Sequence, residues 1–450
     1  MRVAVVGGGI AGLSAAWELS GDAEVTVLEP GRLGGRILTE PFEGRNVEAG
    51  PDAFITRVPY ALDLCAELGI DDLVEPSAGR TLIWWEGRTR QLPEGLVLGV
   101  PRRLGPMIRS GLIGPVGLLR AAGDLVLPPS RFDGDVSVRE LVARRFGGQV
   151  ADRLVDPLVG GIHAGSIDSL SAEATMPQLL QAARGSRSLL AGLRRAGGTG
   201  AGGSGAIFAT PRDGLRTLVE ALTSELNRRS VRIAAVEASA VSGDAAGWRV
   251  EPLDEAFDAV VVATPAAAAA RLLGPGSPPG LRSILTASVA LVTFGYPEME
   301  IPPGVNGILV PRSSGLLATA CSFASSKWPH WAAPGRTVLR VSAGRFGDER
   351  AMAMGDGDLA ARLAEEVATM AGWDRAPDSS RVSRWPDAFP QYGVGHLSLV
   401  RGVEDGLRRD FPGVEICGSS YGGAGIPACI ASGRAAGRRV TDRLRAAGRR

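Results

Sequence analysis

Three glycines near the N-terminus, Gly7, Gly9 and Gly12, have the spacing G-x-G-x-x-G. They follow Val3–Val6, an apolar run without polar alternation, which predicts a strand buried on both faces. The segment Ala11–Leu19 is rich in helix formers with apolar residues at helical spacing. In this context the glycines would permit a tight turn, close approach of the backbone to a pyrophosphate, and close helix–strand packing. The pattern therefore predicts a dinucleotide-binding loop.

A carboxylate completes this unit. Val25–Leu28 predicts a second strand, and Glu29 follows it, where a carboxylate can accept hydrogen bonds from both ribose hydroxyls and would repel a 2′-phosphate. The alternative, a glycine-rich loop without a ligand, does not explain why strand, helix and acid occur together. The residues assigned to the dinucleotide here are Gly7, Gly8, Gly9, Ile10, Ala11, Gly12 and Glu29.

A second glycine turn, Gly34 and Gly35, ends in Arg36, whose guanidinium suits a phosphate. Domains that bind NAD do not need this segment. It resembles the R-x-G-G-R segment of FAD-dependent amine oxidases, and "EAGPDAFI" resembles the flavin-contacting strand and turn that follow it in those proteins. The resemblance implies FAD as the cofactor. It also implies flavin contacts from Gly50, Pro51, Asp52 and Ala53.

Near the C-terminus, the predicted strand Val414–Cys417 leads into a loop of small residues and then into a helix opened by Pro427. Proline is favoured at the first helical position, and the N–H groups and positive dipole end of such a helix suit an electron-rich oxygen. In a flavoprotein this would be the N1–C2=O edge of the ring, which gains negative charge on reduction. An ordinary capped helix is the alternative. The residues assigned to the flavin here are Gly418, Gly425, Ile426 and Pro427.

The composition is that of a globular protein with more than one domain. The chain has 450 residues, of which 45% are hydrophobic and 22% charged, so two or three domains with an ample core are expected. Its net charge of +1 gives no reason to expect a nucleic-acid partner. The cysteines and histidines lack ligand spacing, so no metal site is predicted. The first strand starts at the N-terminus and no run of about 18 apolar residues occurs, which predicts a cytoplasmic protein.

Segments from Val3 to about Val440 together resemble the FAD-dependent protoporphyrinogen and coproporphyrinogen III oxidases, especially the Gram-positive bacterial branch. The longest of these segments are "DPLVGGIHAGSIDSLSAEATMPQL", "RWPDAFPQYGVGHL" and "YGGAGIPACIASGR". The resemblance implies six-electron oxidation of a porphyrinogen to a porphyrin, with O2 consumed and H2O2 released. Such chemistry asks little of catalytic side chains, because positioning the substrate against the flavin N5 is the main requirement.

The expected fold class is α/β, with a Rossmann-type, amine-oxidase-like FAD-binding domain, an α+β substrate domain and an inserted helical domain. The expected bounds are 1–78, 207–268 and 391–450 for the FAD-binding domain, 79–99 and 269–390 for the substrate domain, and 100–206 for the helical domain. One strand is predicted in each of the segments "VRIAAVEASAV" and "FDAVVVATP", and a linker is predicted over Arg194–Ala206. The helical domain leaves two alternatives open, a surface that touches a bilayer and a wall around an apolar substrate.

The resemblance also implies substrate contacts. Arg80 stands where relatives carry a basic residue and is expected to pair with a propionate, a surface arginine being the alternative. Ile162 and His163 lie in the segment that resembles the family's cavity wall. Relatives commonly have tyrosine at the position of His163, so any role of that hydroxyl is not carried over to this chain.

Further cofactor contacts are implied away from the glycine motifs. The backbone around Val236 and Ala238 is expected to contact adenine. Trp385 and Tyr392 match the family's "W…PQY" segment, for which packing is an equal alternative to contact with the flavin or the substrate. Trp385 is assigned to the cofactor.

The reaction and the partners leave alternatives. Likeness to the Gram-positive branch favours coproporphyrinogen III, with four propionates, over protoporphyrinogen IX, with two. A flavin amine oxidase usually has a lysine in the strand that corresponds to "TASVALVTFGYPE", which has none; Lys327, the only lysine, lies elsewhere. A third hypothesis for the function is a flavoprotein that binds a tetrapyrrole without turnover. Peripheral membrane contact, contact with other enzymes of haem synthesis and the oligomeric state are not decided by the sequence.

Overall fold

The computed structural model describes residues 1–128, 132–200, 206–244 and 247–447. The chain divides into two compact units, each assembled from segments that are far apart in the sequence. The first unit comprises Met1–Glu75, Ala206–Leu285 and Leu397–Arg450, and the second comprises Pro76–Gly205 and Thr286–His396.

The strands are numbered in chain order. They are β1 (Arg2–Val6), β2 (Glu24–Leu28), β3 (Thr39–Phe42), β4 (Arg45–Glu48), β5 (Phe54–Ile55), β6 (Leu73–Val74), β7 (Arg80–Trp85), β8 (Arg88–Gln91), β9 (Leu96–Val97), β10 (Val100–Pro101), β11 (Phe208–Pro211), β12 (Arg232–Ala234), β13 (Ala240–Asp244), β14 (Gly247–Glu251), β15 (Ala256–Phe257), β16 (Ala259–Val262), β17 (Thr286–Pro297), β18 (Val305–Leu309), β19 (Ala318–Ser322), β20 (Arg336–Ala343), β21 (Ser379–Pro390) and β22 (Val414–Ile416).

The α-helices are α1 (Ile10–Leu19), α2 (Tyr60–Glu67), α3 (Leu104–Ser110), α4 (Pro115–Ala122), α5 (Val138–Phe146), α6 (Gly148–Val150), α7 (Gly161–His163), α8 (Ala172–Thr175), α9 (Pro177–Gly185), α10 (Leu189–Gly200), α11 (Arg216–Arg228), α12 (Ala266–Leu272), α13 (Gly280–Ser283), α14 (Ala324–Lys327), α15 (Arg350–Ala353), α16 (Asp356–Ala371), α17 (His396–Asp410) and α18 (Ile426–Ala447). A π-helix covers Ala151–Gly160, and 3₁₀ turns cover Gly123–Leu125, Arg312–Ser314 and Pro329–Trp331.

The centre of the first unit is a parallel sheet in the strand order β12–β2–β1–β16–β22. Val3 lies opposite Val25 on one side and Ala259 on the other, and Val260 lies opposite Val414. Apolar side chains are buried on both faces, which explains why β1 and β16 are continuous apolar runs. Because these strands all run in the same direction, their carboxyl ends meet at one edge, where ligands bind in sheets of this kind.

The segment "VRIAAVEASAV" forms two strands where one was predicted. β12 pairs in parallel with β2 and ends at Ala234, whereas β13 pairs antiparallel with β14 in a separate sheet. Val236 and Ala238 lie in the connection, with their side chains partly buried against the apolar core. The chain leaves the parallel sheet here because the first half of the segment pairs in parallel with β2, whereas the second half pairs antiparallel with β14.

The second unit contains a seven-stranded mixed sheet in the order β21–β17–β20–β19–β18–β7–β8. β17 is its longest inner strand and pairs antiparallel with both β20 and β21. The helices from α3 to α10 surround their own apolar core, which includes Leu141, Phe146 and Leu154. The predicted segment of helices after residue 100 is therefore present within this unit.

Two further observations concern the helices. α10 continues to Gly200, so the first part of the predicted linker Arg194–Ala206 is helical, and residues 201–205 of that linker lie outside the described residues. Over the part of the chain that the structure describes, none of the helices combines the length and the apolar character needed to cross a membrane.

Candidate functional site

The loop between β1 and α1 lies at the carboxyl edge of the parallel sheet. Gly7 has φ +106°, a conformation that side chains other than glycine rarely adopt. Gly9 is the N-cap of α1, and its carbonyl accepts the first helical bond, from Leu13 N at 2.9 Å. The N–H groups of Ile10, Ala11 and Gly12 lie in the first turn of the helix. Because they are in this turn, no carbonyl of the same helix accepts hydrogen bonds from them. This end of α1 can therefore bind an anion.

The glycines of the motif have different tasks. A Cβ added to Gly12 would lie 1.9 Å from Gly7 O, so this glycine lets the helix pack against the turn. A Cβ added to Gly9 would meet no described heavy atom beyond its chain neighbours closer than Gly35 Cα, at 3.9 Å. The chain itself therefore does not require glycine at this position. A ligand that approaches the backbone would.

Glu29 follows β2 at the same edge. Its Oε2 accepts a hydrogen bond from Gly8 N at 2.8 Å, and its Oε1 accepts one from Gly31 N at 3.1 Å. The backbone N–H of Glu29 donates to Ala234 O at 3.0 Å, which places the end of β12 beside it. The carboxylate thus anchors the glycine loop, and its half-exposed position leaves acceptor capacity for hydroxyl donors.

The second glycine turn packs on the first. Gly34 N donates to Gly8 O at 2.8 Å, and a Cβ added to Gly35 would lie 3.1 Å from Gly9 Cα. Both glycines have positive φ, +97° and +61° respectively. Arg36 follows, and its Nη1 donates to Ser419 Oγ at 2.9 Å, which ties this turn to the loop after β22. The first and last segments of the unit therefore meet at the carboxyl edge.

The long C-terminal helix lies directly against α1. A Cβ added to Gly433 would lie 2.0 Å from Ala11 O, and one added to Gly437 would lie 3.1 Å from Ala15 O. The two helices are therefore parallel, and α18 starts seven residues before Gly433. At 1.5 Å per residue, its N-terminus extends about 10 Å beyond the first turn of α1. Two helix N-termini thus face the same edge at separate points, which suits an elongated ligand.

The remaining predicted residues near the glycine turns follow the Arg36 turn and β22 along the chain. The Gly50 segment comes directly after Ala49, whose N–H donates to Leu38 O at 2.7 Å, just beyond the Arg36 turn. Gly418 has φ +118° and Pro427 lies in the first turn of α18. The residues concerned are Gly50, Pro51, Asp52, Ala53, Gly418, Gly425, Ile426 and Pro427.

Comparison with known proteins agrees with this geometry. The family model of flavin containing amine oxidoreductases matches residues 10–441. The chain belongs to the flavin-containing amine oxidoreductase family. It is 33% identical to a coproporphyrinogen III oxidase of Bacillus subtilis, over 98% of each chain. It is 36% identical to one of Mycobacterium tuberculosis, over 98% of this chain and 97% of that one.

A solved structure extends the comparison to the fold. The putative protoporphyrinogen oxidase of an Exiguobacterium species aligns with a TM-score of 0.89 and 29% identity, over 98% of this chain and 99% of the other. The predicted α/β fold class of the amine-oxidase kind is therefore confirmed, as are the resemblance to the porphyrinogen oxidases and the expectation of a flavin-dependent oxidoreductase.

The two glycine turns, Glu29 and the starts of α1 and α18 together form the cradle of this flavoprotein at the carboxyl edge. A further residue at this edge was missed by sequence reasoning. Thr264 follows β16 at the same edge, and its methyl carbon lies 3.4 Å from where a Cβ on Gly7 would be. Its Oγ1 is buried and has no hydrogen-bond partner among the described residues. A buried hydroxyl without a partner beside the glycine loop fits a site that a flavin nucleotide completes. The only sequence signal was its position directly after an apolar strand.

Gly433 and Gly437 were also missed. They stand four apart, and residues at this spacing share one face of a helix, so the spacing itself was the available signal. Within the described residues, the structure contains no group of three or more His, Cys, Asp or Glu side chains that could hold a metal ion.

The residues expected to contact the substrate lie in the second unit of this flavoprotein. Arg80 is exposed at the start of β7, and its N–H donates to Gly304 O at 2.8 Å. Ile162 and His163 form the end of α7, where Ile162 is 56% exposed. Burial lowers the pKa of His163 to about 4, so its imidazole is neutral at physiological pH.

Trp385 also lies in the second unit, on β21 opposite Val289. Its half-buried side chain packs on a small apolar cluster that includes Val289 and Ala164. The structure thus places Trp385 in the unit that carries His163, and the other residues predicted to contact the cofactor in the first unit.

Proposed function

We propose that this chain is a coproporphyrinogen III oxidase that uses FAD and O2 and forms coproporphyrin III. The single observation that carries the proposal is the similarity over nearly the whole chain to two proteins of that name, at 33% and 36% identity. Six hydrogens leave the porphyrinogen, and three molecules of O2 take them up as three molecules of H2O2. The protein would work in the cytoplasm.

FAD is proposed as the flavin because the cradle has two separate anion-binding ends. The start of α1 and the Arg36 turn would hold the pyrophosphate, and Glu29 the ribose hydroxyls. Val236 and Ala238 would lie beside the adenine. The start of α18, about 10 Å further along, would hold the electron-rich edge of the ring. When bound, FAD supplies a two-electron acceptor that O2 can regenerate.

The second unit would bind the macrocycle. Arg80 is an exposed cation at the edge of the sheet and would pair with a propionate. The exposed side chain of Ile162 would contact the apolar face of a pyrrole ring. His163 would offer a neutral ring nitrogen to a pyrrole N–H, because its pKa is lowered to about 4. These groups orient the substrate and need not form a covalent bond with it.

We also propose that α3, α4 and the turn after them contact the surface of a bilayer without crossing it. Val116 and Leu119 are each 77% exposed and Val126 is 73% exposed. The segment that carries them is fixed at Asp124, whose buried carboxylate accepts from Arg145 Nε at 2.5 Å, and exposed apolar side chains that lie close together mark interaction surfaces. Sedimentation with anionic vesicles tests this: the parent should pellet with them, and a variant with aspartate at the three apolar positions should not.

The experiment that tests the reaction is an aerobic assay of both porphyrinogens by porphyrin fluorescence. We expect faster turnover of coproporphyrinogen III than of protoporphyrinogen IX. The opposite preference would favour the activity in the name of the Exiguobacterium protein. H2O2 formation with amines alone would make the chain an amine oxidase. Anaerobic mixing with coproporphyrinogen should bleach the flavin absorbance, whereas a tetrapyrrole-binding protein without turnover would leave it unchanged.

A further inference from the structure

The segment that follows the π-helix of the second unit is held in place by hydrogen bonds to its backbone carbonyls. Residues 163–165 present three successive carbonyls, and each accepts a hydrogen bond from a different part of the unit. The first accepts from Gln391 Nε2 at 3.0 Å, and the second accepts from Phe346 N at 2.7 Å. The third accepts from Arg312 Nη2 at 3.2 Å. The position of this turn is therefore set from three sides.

The middle residue of the turn is strained. Ala164 has φ 46° and ψ 35°, the left-handed conformation, which costs a residue with a Cβ about 1–2 kcal/mol. Such a conformation persists where the surrounding structure over-determines it, and it is frequent at functional sites. At the next residue, Gly165, an added Cβ would lie 2.7 Å from Gln391 Oε1, so a side chain there would displace the Gln391 amide. Gln391 therefore packs against the turn as well as bonding to it.

Gln391 is itself fixed. It is 7% exposed, and its Nε2 also donates to Phe389 O at 3.1 Å. The carbonyl of the next residue, Tyr392, accepts a hydrogen bond from Ser171 N at 2.7 Å. The Tyr392 ring faces the His163 ring edge-on, with centroids 6.1 Å apart. Gln391 thus connects the segment that begins at residue 391 to the turn that carries His163.

We propose that Gln391 is a positioning residue for His163: by fixing the carbonyl of that residue, its amide sets where the imidazole meets the macrocycle. The inference rests on the proposed function, which places His163 in the wall of the substrate site. A displacement of 1 Å by a substitution away from the chemistry can cost about 100-fold in rate. A turn with a strained residue would shift when one of its three bonds is removed.

The test compares Gln391→Met with a matched control in the holoenzyme. Methionine has a similar length and lacks the N–H donor. Gln149→Met is the control, because Gln149 lies in the same unit and bonds one backbone group, accepting from Gly114 N at 2.9 Å. Gln391→Asn, a smaller change whose amide falls short of the carbonyl, replaces Gln391→Met if that variant does not fold. The chain has three histidines, so the NMR signal of His163 is assigned with His163→Gln.

Two readouts decide the outcome. We expect Gln391→Met to move the His163 ring signal and its titration, and to lower kcat/KM for coproporphyrinogen by about 10- to 100-fold, whereas Gln149→Met does neither. A variant with lower thermal stability but parental His163 signal and kcat/KM would show a purely structural role and overturn the inference. A moved signal with parental kcat/KM would also overturn it. If the parent oxidises neither porphyrinogen, the proposed function fails first, whatever the His163 signal does, and the inference falls with it.

Discussion

At the scale of single residues, glycines of one motif can be separated by what a side chain would meet. We predict that Gly12→Ala lowers the free energy of unfolding by about 3 kcal/mol or more, because its Cβ would lie 1.9 Å from Gly7 O. Gly9→Ala should change it by less than about 1 kcal/mol, since that Cβ has space. The same variant should bind FAD at least about tenfold more weakly, because the added methyl group would project into the space where the ligand approaches the backbone.

Urea unfolding of the apoproteins and titration with FAD, followed by flavin fluorescence, check both statements. Parental affinity for FAD in Gly9→Ala would contradict the assignment of the loop to the pyrophosphate. A stable Gly12→Ala apoprotein would contradict the packing argument.

A second residue-scale prediction concerns pH. The pKa of His163 is lowered to about 4 by burial, against about 6.5 in an unfolded chain. Between these values the unfolded chain binds a proton that the folded chain does not, so stability falls as the pH drops through this window. We predict that His163→Gln removes this part of the loss. Urea unfolding of parent and variant should diverge in pH dependence between about pH 4 and 6.5 and run parallel above about pH 7; parallel curves throughout would contradict the low pKa.

At the scale of elements, the close contact of α18 with α1 sets where the second helix N-terminus lies. We predict that Gly433→Ala lowers the free energy of unfolding by at least about 2 kcal/mol, because its Cβ would lie 2.0 Å from the Ala11 carbonyl. Gly402→Ala in α17 is the matched control, since a Cβ there would meet no described atom within 4 Å and alanine favours the helix. Thermal unfolding checks the pair, and equal effects of the two substitutions would refute the contact.

The sequence predicted elements where local pattern and tertiary pairing agree. β1, α1 and β2 were predictable because an uninterrupted apolar run, helix formers and fixed glycine spacing each point to one structure. The break between β12 and β13 was not, because it arises from partners of opposite direction that lie far away in the sequence. The π character of the helix over Ala151–Gly160 was missed for a different reason: its pattern of apolar residues resembles that of an ordinary helix.

At the scale of the whole molecule, the sequence predicted that distant segments share a unit, but it did not predict which side chains form the contacts between those segments. The bond from Arg36 to Ser419 and the buried hydroxyl of Thr264 depend on loop conformations that spacing does not encode. The three bonds to residues 163–165 likewise come from places that only the folded chain brings together. The candidate site was therefore predictable in its glycines and its acid, and not in the contacts that hold them.

Because the first unit is assembled from three separate stretches, we expect its stability to depend on the cofactor. Because FAD would contact the first and last stretches together, binding should stabilise the folded unit by mass action, by about 2.7 kcal/mol at 100 times the dissociation constant. We predict that adding FAD to the apoprotein raises its melting temperature in proportion to the logarithm of FAD concentration. Gly9→Ala should show a markedly weaker response at the same concentrations. A melting temperature of the parent apoprotein that does not change with FAD would exclude the cradle as the FAD site, because a ligand that binds only the folded state must stabilise it.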